Sequence, residues 1–359
     1  MISKILNHSK SSAINVFVVA NISSHPYLKL LYGNLDKNGI VCHDLKKNSD
    51  YQKAFVDDII HLHWIEFHIR SEKGILLTIF KFTRYILFLI ISKYIFRKKI
   101  IITLHNAKPH EAIYPTLEFL GFRLSLRIAD ALITHNEWSK KAALNYYNAG
   151  AKNIHVIPIG NFIGYYPNNI TKKEARKKLH IPKDAFVILY FGLIRNYKGL
   201  DILLEAIKDL KKYNIFIMIC GKPENENVRL NLINFEKNHT NCLFNLNYIP
   251  DDEIQHYMNA SDIGILPYKE ITTSAVLLLF ASFNRTVIAS DLEPIRETLC
   301  DAAIYYDPGN VEDLKRKILE ANEINLDAIS EMSFEKATQY NWDDIATSTC
   351  RVYREVLKR

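Results

Sequence analysis

Short apolar runs alternate with stretches of helical periodicity along the whole chain. Apolar runs bounded by polar residues are typical of buried strands, and apolar positions three and four apart indicate helices. This alternation predicts parallel sheets joined by crossover helices. In the first half the predicted strands are 15–20, 58–63, 99–104, 131–135 and 154–157, and the predicted helices are 28–38, 75–96, 111–128 and 139–149.

A second alternation follows residue 182. Its predicted strands are 186–191, 215–220, 242–246, 263–267 and 287–289, and its predicted helices are 200–210, 230–238, 251–260, 274–282, 311–322 and 334–359. The glycine, proline and polar residues of 160–182 indicate an interdomain connection. The sequence therefore predicts an α/β protein with two doubly wound, Rossmann-like parallel-sheet domains facing a cleft. The N-terminal domain is predicted over 1–165, with a C-terminal helix at 336–359 packing back onto it, and the C-terminal domain over 166–335.

Composition and charge narrow the class of protein. The chain has 359 residues, of which 48% are apolar and 24% charged, as in a soluble globular protein. The net charge of +7 suits anionic partners such as nucleotide diphosphates. Nucleic acid is not favoured, because the basic residues are dispersed and no nucleic-acid-binding motif accompanies them. The five cysteines include no CxxC pair, and the N-terminus has no secretory signal, so we expect reduced thiols and a cytoplasmic location.

The segment 74–102 could contact a membrane. Its longest apolar run, 85–91, is shorter than the roughly 20 residues that span a bilayer. Basic residues interrupt the segment, as in a helix lying on the anionic inner face of the plasma membrane. A core helix with a solvated basic face explains the pattern equally well. The basic residues are Lys81, Arg84, Lys93, Arg97, Lys98 and Lys99.

The stretch 190–205 is a candidate diphosphate site. A buried strand ends at Gly192, whose missing side chain allows a ligand to approach the backbone. Arg195 and Lys198 follow, just before a helix. Two cations beside a helix N-terminus bind diphosphate well. The alternative is a solvated loop with ordinary surface cations.

The stretch 261–297 offers a second part of such a site. A strand ends in a loop that carries Glu270, and Thr273 and Ser274 precede an apolar helix that begins near Ala275. A helix start with free N–H groups can hold a phosphate, and the nearby carboxylate can hold a sugar hydroxyl. The alternative is a plain N-cap.

Histidines and aromatic residues follow strands of the first half. His61 and His63 alternate with Leu62, so both should point to one face of the sheet, with Trp64 at its edge. This pair lacks further ligands at zinc-binding spacing, so we expect no metal.

The loop after the first strand has no GxGxxG sequence, which argues against an NAD or FAD enzyme. Its Asn21, His25 and Tyr27, together with His63 and Trp64, suit an acceptor sugar. The alternative for this loop is an ordinary turn in which Pro26 begins a helix.

Taken together, the two C-terminal stretches resemble the GT-B fold glycosyltransferases of the large retaining family 4. In that family a strand–Gly–x–x–Arg–x–x–Lys–Gly segment clamps the donor diphosphate, and a strand–Pro–x–x–Glu loop meets the donor sugar. The resemblance implies these roles for the corresponding residues here and extends from residue 154 to the end of the chain. It also implies that Gly221, Lys222, Tyr248 and Ile249 lie near the nucleobase and ribose.

In the first half, the strand ending at His105 resembles the family's strand whose histidine sits at the reaction centre. The resemblance implies that His105 contacts the transferred sugar and stabilises charge on the leaving group. The alternative is a histidine at a strand end that is bonded to neighbouring backbone. One feature departs from the family: Leu278 or Leu279 stands where a second glutamate usually holds the ribose. Glu297 could substitute for it, although an exposed helix face explains that residue as well. A subgroup of capsule and exopolysaccharide transferases has a similar loop and apolar helix.

The resemblance implies an enzyme that moves a hexose from a UDP- or GDP-linked sugar to a saccharide or lipid-linked saccharide. It further implies surface polysaccharide biosynthesis, retention of anomeric configuration, and no metal or other cofactor. Two alternatives remain: a nucleotide-sugar epimerase or hydrolase of the same fold, and an inactive nucleotide-sugar-binding partner.

Overall fold

The computed structural model describes residues 13–45, 48–106, 112–148, 153–208, 210 and 213–359. The chain divides into two compact units: Met1–Ile157 with Trp342–Arg359, and Pro158–Asn341. The boundaries thus differ from the predicted 165/166 and 335/336. Residues 158–165 belong to the second unit because Asn161 N–H donates to the Tyr340 carbonyl (2.8 Å) and Phe162 N–H donates to Ser282 Oγ (2.9 Å).

Unit 1 contains a six-stranded parallel sheet with the order β2-β1-β3-β4-β5-β6. Its strands are β1 (Ile14–Val19), β2 (Ile40–Asp44), β3 (Ile59–His63), β4 (Lys99–Leu104), β5 (Ala131–Thr134) and β6 (Ile154–Val156). Its helices are α1 (Pro26–Asp36), α2 (Glu66–Ile69), α3 (Ile75–Ile90), α4 (Pro115–Ile128), α5 (Glu137–Tyr147) and the C-terminal α14 (Trp342–Leu357). The central strands are buried along their length, as expected for a parallel sheet covered on both faces.

The C-terminal helix α14 packs against α1 in unit 1. Trp342, Tyr353 and Val356 are buried on its inner side. Burying side chains of this size is worth about 1.5–3 kcal/mol each, which fixes the end of the chain to the first unit.

Unit 2 contains a second six-stranded parallel sheet with the order β12-β11-β10-β7-β8-β9. Its strands are β7 (Phe186–Phe191), β8 (Ile215–Cys220), β9 (Cys242–Asn245), β10 (Ile263–Leu266), β11 (Val287–Ser290) and β12 (Ile304–Tyr306). Its helices are α6 (Lys172–Lys178), α7 (Leu200–Ile207), α8 (Glu226–Lys237), α9 (Ile254–Ala260), α10 (Ala275–Ser282), α11 (Glu293–Leu299), α12 (Val311–Glu323) and α13 (Asp327–Thr338).

Several short elements were not predicted, and each carries a weak apolar signal. In β2 only Ile40 is buried, and β12 has three residues at the sheet edge. Helix α6 is rich in lysine and begins with a capping box formed by Thr171 and Glu174, a signal that was present in the sequence. Helices α2, α11 and α13 were also missed, and the predicted helix 334–359 is in fact the end of α13 followed by α14.

The helical segment Ile75–Ile95 is 21 residues long and has a mean hydropathy of 1.9, with 22% of its most apolar window buried. By length and composition it could cross a membrane, so the apolar run 85–91 understated its apolar length. Among the described residues, it is the one helix that meets this criterion. Its last turn, Ile91–Ile95, is a π-helix.

The five cysteines Cys42, Cys220, Cys242, Cys300 and Cys350 are all free thiols, and Cys220 and Cys350 are buried.

Candidate active site

In unit 2, the carboxyl ends of β7 and β8 meet at two glycines. Gly192 follows β7 and Gly221 follows β8, with φ angles of +110° and +153°. Gly192 N–H donates to the Cys220 carbonyl (2.9 Å). A Cβ on Gly221 would lie 1.8 Å from the Gly192 carbonyl oxygen, so no other residue fits there. At these strand ends backbone packs closely against backbone, and of the two glycines Gly192 is the one that is partly exposed.

Lys198 and the start of α10 both lie against Gly192. A Cβ built on Gly192 would lie 3.4 Å from Lys198 Nζ and 3.3 Å from Val276 Cγ2. Val276 belongs to the first turn of α10. The sequence predicted that Lys198 and this helix start would converge, and the geometry of unit 2 brings them together.

Lys198 is a buried cation, with 9% of its surface exposed. Its Nζ lies 5.9 Å from the ring centre of Tyr268. Within the described ranges, the structure records neither a hydrogen bond nor an ion pair for this ammonium group. Burial, and then the positive charge of Arg195, lower the pKa of Lys198 to about 8. A buried charge without an opposite charge is unfavourable, so an anionic ligand here would supply the missing partner.

Arg195 contributes a second cation to the same neighbourhood. Its Nη1 lies 3.9 Å from Glu224 Oε2, on the loop after β8. The guanidinium presents its N–H donors in a planar fork that suits phosphate oxygens. Arg195 lies close enough to Lys198 for its charge to lower the lysine pKa.

The loop before α10 contains the other predicted phosphate ligands. Ser274 is the N-cap, and its side chain accepts a hydrogen bond from Leu277 N–H (3.3 Å). Thr273 and Ala275 flank it and are half-buried, whereas Glu270 is exposed. The amide groups at the start of α10 therefore lie where anions bind helices, beside Lys198.

Two further contacts hold this loop to the loop after β7. Lys269 N–H donates to the Tyr197 carbonyl (2.8 Å), and Lys269 Nζ forms an ion pair with Asp201 (2.8 Å). In addition, a Cβ on Gly199 would lie 1.8 Å from the Pro267 carbonyl oxygen. The two predicted parts of the diphosphate site thus form one surface.

Leu278 and Leu279, at the position of the family's second glutamate, are 3% and 5% exposed. Both belong to the apolar interior of unit 2. Glu297 is exposed on α11. The group that holds the ribose was not identified from the sequence, and a role for Glu297 stays a prediction.

The predicted nucleobase region is only partly assembled around Gly221. The Lys222 carbonyl accepts from Ile194 N–H (3.0 Å), which ties the loops after β8 and β7 together. Ile249 is buried, and the exposed Tyr248 hydrogen-bonds to Asp251 in its own loop (3.4 Å). Contact of Lys222, Tyr248 and Ile249 with a base stays a prediction.

In unit 1, three histidines at the carboxyl ends of neighbouring strands are hydrogen-bonded to one another. His63 ends β3, His105 follows β4 and His135 follows β5. His63 Nδ1 lies 2.9 Å from His105 Nε2, and His105 Nδ1 lies 3.1 Å from His135 Nε2. All three are buried. Burial is the first cause that lowers the pKa of each, to about 4 for His135, so all three rings are neutral at neutral pH.

Both ring nitrogens of His105 therefore contact other histidines. To donate a hydrogen bond to a sugar through nitrogen, as the resemblance implies, His105 would have to give up one of these contacts. Its direct contact with a donor sugar stays a prediction.

The predicted acceptor residues fall into two groups. Tyr27 is buried with its ring against His105 (5.0 Å between centres), and Trp64 stacks on His105 (4.3 Å, 12° between planes). Asn21 and His25 act instead as helix caps, accepting hydrogen bonds from the N–H groups of Ser23 (3.0 Å) and Tyr27 (3.2 Å). The alternative of an ordinary turn with Pro26 at the helix start thus describes this loop. The His25 ring also contacts the Trp64 ring, with 5.0 Å between the ring centres.

Four members of the unit 1 cluster were missed by sequence reasoning. His135 follows a strand just as His63 and His105 do, so its position was a usable signal. Tyr32 on α1 and Tyr353 and Trp342 on α14 had no such signal, because only the fold brings these helices to the histidines. Among the residues that the structure describes, no group of three or more His, Cys, Asp or Glu side chains could hold a metal ion.

Comparisons with known proteins identify the second unit. Residues 171–339 match the family described as "Glycosyl transferases group 1". This segment is a group 1 glycosyltransferase domain. It includes Gly192, Lys198 and the start of α10, and the chain is accordingly a glycosyltransferase.

Relatives and solved structures agree with this assignment. The chain is 26% identical over 273 residues to a GDP-mannose:glycolipid 4-beta-D-mannosyltransferase of Xanthomonas campestris pv. campestris, covering 75% of this chain and 70% of the relative. It is similar in fold to sucrose-phosphate synthase from Thermosynechococcus elongatus, with a TM-score of 0.75, 14% identity, and coverage of 96% and 99% of the two chains. It is also similar to Anabaena Alr3699/HepE, solved with UDP and glucose, with a TM-score of 0.71, 15% identity, and coverage of 96% and 100%. The glycosyltransferase therefore has the GT-B fold that the sequence predicted.

Proposed function

We propose that this glycosyltransferase takes a hexose from a UDP- or GDP-linked sugar and transfers it to a saccharide or a lipid-linked saccharide. The observation that carries the proposal is the buried ammonium of Lys198, which lies beside Gly192 and the start of α10 without an anionic partner in the described part of the chain. A diphosphate matches this site in charge and in its demand for backbone N–H donors.

In the proposed reaction, negative charge accumulates on the diphosphate as the bond to the sugar breaks. Arg195, Lys198 and the amide groups of α10 neutralise this charge, and interactions that strengthen as the charge develops lower the barrier. Glu270, exposed on the loop before α10, orients the hydroxyls of the sugar. These groups supply the positive charge themselves, so we propose a reaction without metal or other cofactor.

The acceptor and the stereochemistry are narrower proposals. The Xanthomonas relative is named for GDP-mannose and a glycolipid, which supports a GDP-linked donor and a lipid-linked acceptor. The proposed role in surface polysaccharide biosynthesis depends instead on the resemblance to the capsule and exopolysaccharide transferases. Its name describes a β-linked product, whereas the resemblance to family 4 implies retention of configuration. The anomeric configuration of the product, measured by NMR, decides this point.

A lipid-linked acceptor would require the protein to work at a membrane surface, and α3 suits that location. Leu76, Phe80 and Ile95 in the segment Ile75–Ile95 are 81%, 60% and 69% exposed. Exposed apolar surface of this kind marks interaction sites in soluble proteins. We propose that this face inserts among lipid headgroups, as amphipathic interfacial helices do.

The basic residues of this segment contribute less to the proposed membrane contact than the sequence implied. Lys93 forms an ion pair with Asp130 (3.2 Å), Lys81 donates to the Arg70 carbonyl (3.2 Å), and Lys98 donates to the Val56 carbonyl (3.1 Å). Arg84 and Arg97 remain exposed. The proposed membrane contact therefore depends mainly on apolar insertion.

Sedimentation with phosphatidylglycerol vesicles tests the membrane contact. The double variant Leu76→Ser, Phe80→Ser should lose most vesicle binding, whereas Leu230→Ser, at a 50% exposed leucine on α8, should not. Equal binding of all three proteins to vesicles, or no binding of the unmodified protein, would contradict the proposal.

A donor panel tests the transfer activity. The full chain is incubated with UDP- and GDP-linked hexoses, with and without saccharide and polyprenyl-diphosphate-linked saccharide acceptors, and products are identified by mass spectrometry. Acceptor-dependent sugar transfer that is lost in Lys198→Met supports the proposal. Acceptor-independent turnover would instead indicate an epimerase or hydrolase, and the absence of any nucleotide binding would contradict the proposal altogether.

A further inference from the structure

The histidine cluster of unit 1 is part of one continuous chain of hydrogen bonds. From His135, Nδ1 contacts the backbone carbonyl of Ile157 (2.9 Å) and Nε2 contacts His105 (3.1 Å). From His63, Nδ1 contacts His105 (2.9 Å) and Nε2 contacts the Tyr32 hydroxyl (2.6 Å). Every ring nitrogen of the three histidines thus has a partner.

The backbone carbonyl sets the direction of every bond in the chain. A carbonyl oxygen can only accept, so His135 Nδ1 carries a proton and donates it. In a neutral imidazole the other nitrogen must then accept, so His105 donates to His135 through Nδ1. By the same step His63 donates through Nδ1 to His105, and Tyr32 donates its hydroxyl proton to His63.

The chain continues into α14 and β4. His61 Nδ1 lies 2.8 Å from the Tyr32 hydroxyl and 2.7 Å from the Tyr353 hydroxyl, and its Nε2 lies 2.8 Å from Thr103 Oγ1. The Tyr32 proton is already used toward His63. A hydrogen bond between Tyr32 and His61 therefore needs the proton on His61 Nδ1, in which case Thr103 donates to His61 Nε2. Burial keeps His61 neutral, because it lowers the pKa of this ring to about 3.

We propose that Tyr32, His63 and His135 are positioning residues that fix the ring orientation of His105 and place its single proton on Nδ1. This inference goes beyond the proposed function but rests on it for any effect on transfer, since it assumes that His105 lies close to the reacting sugar and meets it through a ring C–H while both nitrogens stay bonded to histidines. The stacked ring of Trp64 (4.3 Å, 12°) holds the plane of His105, and the two histidine contacts fix its rotation within that plane.

Removing a residue that orients His105 should lower the rate of transfer measurably. In metal sites, outer partners that orient a ligating histidine affect activity by about 10–100-fold, and we expect a loss at the lower end of this range for His105. Without an acceptor at position 135, the Nδ1 proton of His105 is left unpaired in a buried site. The ring then gains by rotating, or by moving its proton to Nε2 while the His63 proton moves from Nδ1 to Nε2, so that no two N–H donors face each other. We therefore expect an altered His105 tautomer and a lower kcat.

The experiment uses the full chain with 15N-labelled histidine at pH 7.5. Two-bond proton–nitrogen correlations report which ring nitrogen of each histidine carries the proton, and the chain predicts Nδ1–H for His63, His105 and His135. In His135→Phe, the His105 signals should change to the other tautomer or to a mixture. In His135→Gln the side-chain oxygen can still accept from His105, so the Nδ1–H signal should largely return. His155→Gln, at a half-buried histidine of β6 outside the chain, should leave all three rings unchanged.

Kinetic measurements distinguish a role of His135 in positioning His105 from a role in stabilising the fold. His135→Phe should lower kcat by about tenfold or more with the donor KM within about twofold, and His135→Gln should recover most of kcat. An Nε2–H signal for His63, His105 or His135 in the unmodified protein would overturn the proposal. So would a kcat per folded molecule that is unchanged in His135→Phe while its melting temperature falls. The NMR result holds whether or not transfer is observed, so failure of the proposed function remains distinguishable.

Discussion

Replacing Lys198 with methionine should stabilise the ligand-free protein and weaken its binding of nucleotide at the same time. The lysine is buried, and no anion in the described part of the chain compensates its charge. Methionine has a similar length and no charge, so it can occupy the same space against Tyr268 without the cost of burying an ammonium.

The size of the effect follows from the pKa. Burial and Arg195 lower the pKa of Lys198 from an ordinary 10.5 to about 8. This difference corresponds to about 3 kcal/mol at 1.36 kcal/mol per unit of pKa. The free energy of unfolding of Lys198→Met at pH 7 should therefore exceed that of the unmodified protein by up to about 3 kcal/mol.

The stability gained by Lys198→Met should decrease as the pH rises. Below pH 8 the lysine is charged in both the folded and the unfolded chain, so the full cost is present. Between pH 8 and 10.5 the folded protein releases the proton before the unfolded chain does, and the cost disappears. The advantage of the methionine variant should therefore shrink across this range.

Urea denaturation at pH 7 and pH 10, followed by calorimetric titration with UDP and GDP, measures both effects. The loss of a charge-assisted contact worth about 1.5–3 kcal/mol should raise Kd by about 10–100-fold. Lys208→Met is the matched control, because Lys208 is 53% exposed and paired with Glu205 at the surface of the same unit. Destabilisation of Lys198→Met at pH 7 together with unchanged nucleotide affinity would refute the reasoning.

Three further predictions concern stability. Gly221→Ala should destabilise the protein by more than about 2 kcal/mol, because the new Cβ would meet the Gly192 oxygen, whereas Gly33→Ala, with nothing within 4 Å, should stabilise it slightly; thermal denaturation tests both. Burial lowers the pKa of His135 from 6.5 to about 4, so the free energy of unfolding should fall progressively below pH 6.5, by about 3 kcal/mol at pH 4 from this residue; an equal free energy of unfolding at pH 7 and pH 4, measured by urea denaturation, would contradict this. Asp262→Asn should cost about 2–4 kcal/mol in urea denaturation, because the carboxylate pairs with the buried Arg176 at 2.7 Å, and a loss below 1 kcal/mol would argue against that role.

The fold was largely predictable because its strands are long apolar runs in a covered parallel sheet. The bounds of β4, β7 and β8 agree with the predicted ones, since each run ends sharply at polar residues or glycine. Of the four edge strands, β6 and β9 were predicted from their apolar runs, whereas β2 and β12 were not. Only Ile40 of β2 is buried, and β12 has three residues, so neither strand has a long apolar run.

The diphosphate site was predictable because its parts are local. Gly192 and Lys198 are close in sequence, and the cap of α10 is a short motif, so only their approach to each other needed the structure. The unit 1 cluster depends on contacts such as that between His61 and Tyr353, which are 292 positions apart. No local pattern encodes a contact of that separation. Asn21 and His25, predicted as acceptor ligands, cap helices through contacts only two positions away, and Pro26 at the helix start was a local signal for this alternative.

Proton uptake on nucleotide binding tests most directly whether Lys198 binds the diphosphate. At pH 8.5 about a quarter of the ligand-free molecules carry a proton on a lysine with a pKa of about 8, and a bound diphosphate should restore the charge. Calorimetric titrations with UDP and GDP in buffers of different ionisation enthalpy should therefore show about 0.7 proton taken up per nucleotide, in excess of the value for Lys198→Met. Nucleotide binding with the same proton uptake in both proteins, or no binding at all, would contradict the account.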